Sequence, residues 1–266
     1  MSVERNDRIF VGIVWGIVII GLWEVVAFLL QNVFQDPMAA TKLPYLHVII
    51  ATFIQNAGAL LGAGLVTFSR AAAGFLVGGI IGIILAVIMS LSKTVERIGL
   101  PYLIISQMIP ILALAPIIFN IVKDMDSARI IIAAYITFFP VAINMLSGLK
   151  AVERDQKDLL YSVAASQVEI YYKLMFPFSM PYLFTGLKIA APLAITASIL
   201  VDMLGSSSGI GVKILYALYS NSSNIFWAAV LTSALMGISG YYLVVLGEKV
   251  LLPWNKTSSK KGGDNI

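Results

Sequence analysis

The sequence predicts an all-α membrane protein of about six transmembrane helices. Hydrophobic residues make up 59% of it and charged residues 12%, with a mean hydropathy of +0.91. A soluble domain carries about 25% charge, so this chain cannot clothe a water-facing surface. The apolar residues come in runs of the right length, since about 20 helical residues at 1.5 Å each cross the ~30 Å hydrocarbon core. The charges gather between the runs.

In order, residues 9–30 are apolar apart from Glu24. That is longer than the core of a secretory signal, and reads as an uncleaved span. Residues 31–57 are mixed, with Asp36-Pro37 and Leu43-Pro44, and read as a loop. Residues 58–91 exceed one upright crossing, so 58–69 are expected to enter tilted or along the interface and 71–91 to cross. Gly74, Gly78 and Gly82 repeat every four residues, a small-residue face that lets membrane helices approach closely. Residues 98–122 are uncharged but hold Pro101, Pro110 and Pro116, while 130–149 hold Pro140 with Asn144 one turn on. Residues 179–204 carry Lys188 and Asp202, and 225–247 form the last span. Residues 1–252 thus read as one transmembrane domain, and 253–266 as a polar tail.

Orientation follows from the basic residues. With the N-terminus inside, Arg5, Arg8, Lys93, Arg97, Lys150, Arg154, Lys157, Lys173, Lys249, Lys256, Lys260 and Lys261 share the cytosolic side, against Lys42, Lys123, Arg129 and Lys213 outside. Twelve against four satisfies the positive-inside rule and puts both termini in the cytosol.

The net charge of +4 belongs to these loops and does not point to nucleic acid. Zero cysteines exclude disulfides, thiolate metal sites and cysteine nucleophiles. The single histidine, His47, falls in a loop expected outside and solvated.

Residues 153–192 are the longest stretch with charge scattered through it. Leu160, Ala164, Val168 and Tyr171 fall at i, i+4, i+8 and i+11, the stripe of an amphipathic helix, with Val163 widening it. Ser166-Gln-Val-Glu169 reads as a capping box, so two short helices are expected to meet near 164–166. Pro177 and Pro181 then interrupt the chain before the next span, where a first helical turn tolerates proline.

The order of residues here resembles the cytosolic coupling loop of ABC importer permeases. The matching pieces are Ala164-Ala165-Ser166, Phe176-Pro177, Pro181-Tyr182, Gly186-Leu187-Lys188-Ile189-Ala190, Asp202-Met203-Leu204 and the glycine- and serine-rich 205–211. Over about residues 43–254 the chain is most similar to the nitrate/sulfonate/taurine/thiamine-precursor group. It departs from the family's Glu-Ala-Ala, which is Asp158-Leu159-Leu160 here, and from the family's glycine, which is Ala164. Glycine there would serve a left-handed helix end, where alanine costs about 1 kcal/mol. Either the turn differs or the strain is tolerated.

The resemblance implies a type I ABC importer permease fold with a cytosolic coupling-helix hairpin at about 153–176. It implies the transmembrane subunit of an ATP-driven importer in a prokaryotic cell membrane. A small solute would be delivered by an extracytoplasmic binding protein. Two ATP-binding subunits would carry the ATP and Mg, a second permease copy would complete the path, and this chain would bind no cofactor or metal and catalyse no reaction. ATPase coupling falls to Asp158, Leu160, Ala164, Ala165, Ser166 and Glu169.

Gln107, Met108, Pro110, Asn144, Ser198 and Asp202 are the candidates for the path, because polar groups and proline-freed carbonyls within spans must face water or protein. Lys188 is expected to snorkel to the cytosolic interface, Glu24 and Asp202 to reach water near span ends, and Arg70 to anchor the outer interface. The run 205–211 lacks the lysine of a phosphate-binding loop and reads as a flexible turn; contact with the binding protein is implied by the resemblance alone. The alternative is an ATP-independent secondary transporter or channel. Proton or sodium coupling, however, places acids at mid-membrane, and none stands there. An intramembrane enzyme would need a cluster that His47 alone does not supply.

Overall fold

The computed structural model describes residues 2–35 and 37–254; of the expected polar tail, 255–266 lie outside the described residues. The elements are α1 (Ser2–Phe28, closing in a π-helical turn Leu29–Val33), α2 (Ala39–Lys42), α3 (Leu46–Gln55), α4 (Ala57–Leu91), α5 (Lys93–Met108) and α6 (Ile111–Val122). They continue as α7 (Met125–Lys150), α8 (Arg154–Ser162), α9 (Gln167–Ile170), a π-helical turn Tyr171–Met175, α10 (Phe176–Met203), α11 (Ile210–Tyr219) and α12 (Ser223–Leu251). Among the described residues five helices are long and apolar enough to cross a membrane, six if α5 and α6 form one broken span.

α7 is the centre, with α4 on one side and α10 on the other. Lipid is as apolar as leucine, so close packing rather than water exclusion holds such helices together. The expected glycine face does that work. A Cβ on Gly78 would lie 2.5 Å from the Ala134 carbonyl oxygen and one on Gly82 2.6 Å from that of Phe138. On the other side, a Cβ on Gly186 would lie 2.7 Å from the Pro140 oxygen. The core between these helices is built from Ala86, Met89, Val141, Met145, Leu149 and Leu183.

Several expectations are corrected. Residues 58–91 lie in one continuous helix, α4, rather than in an entry segment and a separate span. Residues 98–122 are two helices bent by 99°. Pro110 has no N–H to give, and it pushes Ile109 into extended backbone (φ −77°, ψ 120°). Pro177 and Pro181 do not interrupt the chain, for helix runs without a break from Gln167 to Met203. The wider turn Tyr171–Met175 lies directly ahead of Pro177, where the ring would otherwise crowd the carbonyl four residues back.

The loop 31–57 contains α3, and His47 is not merely solvated. Its Nδ1 lies 3.3 Å from Glu24 Oε1, which also accepts the Leu46 N–H at 3.0 Å, so Glu24 caps α3 from across the fold. Lys188 Nζ pairs with Glu248 Oε2, near the end of α12, at 2.5 Å.

Candidate functional site

Two places gather the polar residues, one at each end of α10. The first is the hairpin α8–α9. Ala164 has φ +60°, so the left-handed turn is kept and alanine bears its strain. Its N–H donates to the Tyr161 carbonyl (2.9 Å) and the Ala165 N–H to the Leu160 carbonyl (3.1 Å), the paired bonds of a Schellman end. The next helix opens on the expected capping box. Ser166 Oγ accepts the Glu169 N–H (3.3 Å), and Glu169 Oε2 accepts the Ser166 N–H (3.0 Å). Lys173 Nζ, one turn on, lies 2.9 Å from Glu169 Oε1.

Leu160, Ala164, Ala165, Ser166 and Glu169 therefore meet in a single turn. Asp158 stands apart on α8, 3.9 Å from Arg154, with both side chains exposed.

The stripe Leu160–Ala164–Val168–Tyr171 is not one face, because the left-handed residue resets the helical phase. Val168 is 77% exposed, whereas Tyr171 packs against the core and its hydroxyl bonds Ser90 Oγ of α4 at 2.8 Å. Leu159, Tyr161, Val163, Val168 and Tyr172 are the large apolar side chains the hairpin leaves bare. Of these, the sequence pattern assigned only Val168 and Val163 to the stripe.

The second place is a charged cluster at the opposite end. Arg129 Nε and Asp202 Oδ1 are 3.1 Å apart with 2% and 0% of their side chains exposed. The N–H does not point along that line as a hydrogen bond would, so the attraction is coulombic. Arg129 also donates to Asp126 Oδ1 (2.8 Å) and the Ser208 carbonyl (3.1 Å). Arg70 shares Asp126, with Nε at 2.9 Å, and donates to Ser208 Oγ. Thr67 Oγ1 donates to Asp202 Oδ2 (2.5 Å) and accepts the Ile210 N–H (2.8 Å). Gly209, at φ +116°, lies where a Cβ would strike the Asp202 carboxylate.

Asp202 therefore does not reach water, Arg70 is more than an interfacial anchor, and 205–211 is a pinned loop rather than a flexible turn. Asp124 caps α7 alongside by accepting the Ser127 N–H at 2.8 Å. Hydrogen bonds from the Ser127 side chain and backbone hold the Asp124 carboxyl below its ordinary 3.8.

The expected path residues have different neighbours. Gln107, Met108 and Pro110 sit at the α5–α6 elbow, where Met108 is 72% exposed and Gln107 Nε2 is buried without a partner. The adjacent Ser106 carbonyl accepts the Tyr135 hydroxyl. Asn144 Nδ2 donates to the Pro140 carbonyl of its own helix (2.7 Å). Ser198 is buried and donates to the Thr67 carbonyl (3.3 Å), which places it with Asp202 in the charged cluster. Sequence reasoning missed Thr67 and Arg129 as partners of Asp202. Nothing local in the sequence names them, since the three residues lie on α4, α7 and α10.

Residues 78–249 match the family model described as the binding-protein-dependent transport system inner membrane component. The chain is 32% identical over 177 residues to the formylaminopyrimidine transport permease protein ThiX of Halalkalibacterium halodurans, covering 66% of this chain and 71% of that one. It is 27% identical over 248 residues to the putative aliphatic sulfonates transport permease protein SsuC of Bacillus subtilis, covering 92% and 88%. Its fold is similar to a crystal structure of an amino acid ABC transporter, with TM-score 0.63 and 14% identity over 75% of this chain and 97% of that one.

Proposed function

The chain belongs to the binding-protein-dependent transport system inner membrane components, and from that premise we propose how it passes work from ATP to the transport path. It is the permease subunit of an ABC importer, a multi-pass inner-membrane protein with the type I importer fold. ATP hydrolysis lies in partner subunits, and a binding protein completes the system.

In our reading two copies, or this chain and a relative, enclose one path, and each engages one of two ATPase subunits. Residues 1–252 act as the membrane domain with both termini in the cytosol, and the hairpin of about 153–176 is the ATPase contact. The observation that carries this is the unbroken helix from Gln167 to Met203. The capping box that closes the hairpin is the start of the same rod that ends at Asp202. Bare Leu159, Val163, Val168 and Tyr172 suit a groove on a partner, the helix-in-groove mode of recognition. Movement of the ATPases then tilts α10 as a unit, with α4 and α7 packed beside it. Leu160, Ala164, Ala165, Ser166 and Glu169 hold the turn rigid, and Asp158 meets the partner. The solute path runs past the α5–α6 elbow at Gln107, Met108 and Pro110 and past Asn144. Ser198 and Asp202 brace its outer end rather than touch solute.

Co-purification with the ATPase subunits and nucleotide-dependent uptake in vesicles test this reading. Ala164→Asp places a charge in the groove and should abolish uptake while the permease still assembles. Full uptake by that variant overturns the hairpin's role.

A further inference from the structure

A cleft of about 500 Å³ opens where α10 begins and α12 has ended, lined by Lys173, Pro177, Phe178, Pro181, Tyr182 and Trp254. Its chemistry is divided. Phe178 and Tyr182 stack with ring centroids 6.4 Å apart, and Trp254 offers a third ring, half of it exposed. Lys173 Nζ supplies the charge and is 66% exposed although paired with Glu169. An exposed pair of that kind holds a lysine weakly.

One helical turn further along the same two helices lies an apolar groove of about 360 Å³. Phe184 and Leu251 line it, three residues from Pro181 and Trp254 of the cleft, and Ala72 and Phe75 of α4 form its opposite side. Aromatic rings with a lysine at a span end, followed by a purely apolar slot, match a molecule with an anionic head and a hydrocarbon tail. A soluble anion would leave the slot unused, and a protein groove-binder would leave the lysine unexplained. The surrounding charge agrees. Lys249 stands in the last turn of α12. Of the nearby acids, Glu248 is paired with Lys188, while Glu169 shares Lys173 and keeps its own bonds from the Ser166 N–H and hydroxyl.

We propose that this cleft seats the anionic headgroup of a phospholipid, with one acyl chain in the adjoining groove. The lipid braces the helix at its π-helical turn, immediately after the capped hairpin. That the leaflet is the inner one rests on the cytosolic placement of the hairpin.

The test is native mass spectrometry of the full chain in detergent, titrated with dioleoylphosphatidylglycerol or dioleoylphosphatidylcholine. Retention of the glycerol lipid should exceed that of the choline lipid by about fivefold, the effect of one lysine near an anionic surface. Lys173→Gln should erase the preference, with its thermal unfolding midpoint checked against the parent. Ala72→Phe, which fills the groove, should lower retention of both lipids. Equal retention of the two lipids overturns the proposal, as does a preference unmoved by Lys173→Gln combined with Trp254→Phe. Equal competition by glycerol phosphate assigns the cleft to a soluble anion, and also overturns it. So does loss of ATPase-subunit binding by these variants in pure phosphatidylcholine, which assigns the cleft to that partner. Labelling of Ser166→Cys from outside the cell would refute the cytosolic hairpin while leaving lipid retention as measured, so the two failures are separable.

Discussion

Arg129, near the start of α7, and Asp202, near the end of α10, face each other 3.1 Å apart and sealed from solvent. Sequence distance gives no hint of the pair, and it holds the loop before α11 as well as the two helices. Removing Asp202 leaves the buried Arg129 guanidinium with Asp126 alone to offset it. Asp202→Asn should destabilise the fold by about 3 kcal/mol, and adding Arg129→Gln should recover part of that. Thermal unfolding of the two single variants and the double in one detergent measures the coupling. Additive losses would show that the charges do not support each other.

Ala164 occupies a left-handed conformation at φ +60°. Ala164→Gly should therefore stabilise the chain by up to about 1 kcal/mol, and Ala164→Val should destabilise it. Unfolding midpoints compare the three. A loss on going to glycine would mean that the alanine methyl makes a contact worth more than the strain.

Gly78→Ala would put a methyl 2.5 Å from the Ala134 carbonyl oxygen and force α4 away from α7. A cost of about 1–3 kcal/mol is expected. Gly12→Ala in α1 meets nothing within 4 Å and should be neutral or slightly stabilising. Parallel melts of the two variants check the contrast.

Asp124 is fully exposed, and its carboxyl is held below 3.8 by Ser127. A depressed acid contributes stability that is complete above its unfolded value and lost as pH falls through its folded one. The first turn of α7 should therefore be pH-independent above about 5 and loosen only below 3.8. Protection of the Ser127 amide against hydrogen exchange, corrected for intrinsic rate, should fall in that acid range and become flat in Asp124→Ala.

Local signals were legible in the sequence. The Ser166–Glu169 box, the Gly74–Gly78–Gly82 face and the cores of α7 and α12 follow from spacing alone, because each depends on residues within one or two turns. Of the three prolines in the uncharged run 98–122, the sequence reading placed Pro110 on the path, and Pro110 is the one that breaks the helix while Pro101 and Pro116 stay within α5 and α6; the 99° angle of the bend was not legible. The hairpin stripe failed at Ala164, where a single left-handed residue resets the helical phase. The charged cluster was illegible for a different reason. Thr67 and Asp202 are 135 residues apart, and only packing of α4, α7 and α10 brings them together.

The π-helical turn at Tyr171–Met175 has a consequence at the far side of the bilayer. It inserts one extra residue into the winding of the helix, so it fixes the azimuth of every side chain from Phe176 onward. Deleting a single residue there would spin the remainder by about 100°, carrying Gly186 off Pro140 and Asp202 off Arg129. The chain thus indexes the ion pair at one end of α10 from the bend at the other, and a one-residue length change at the hairpin end would be felt as misalignment on the opposite face.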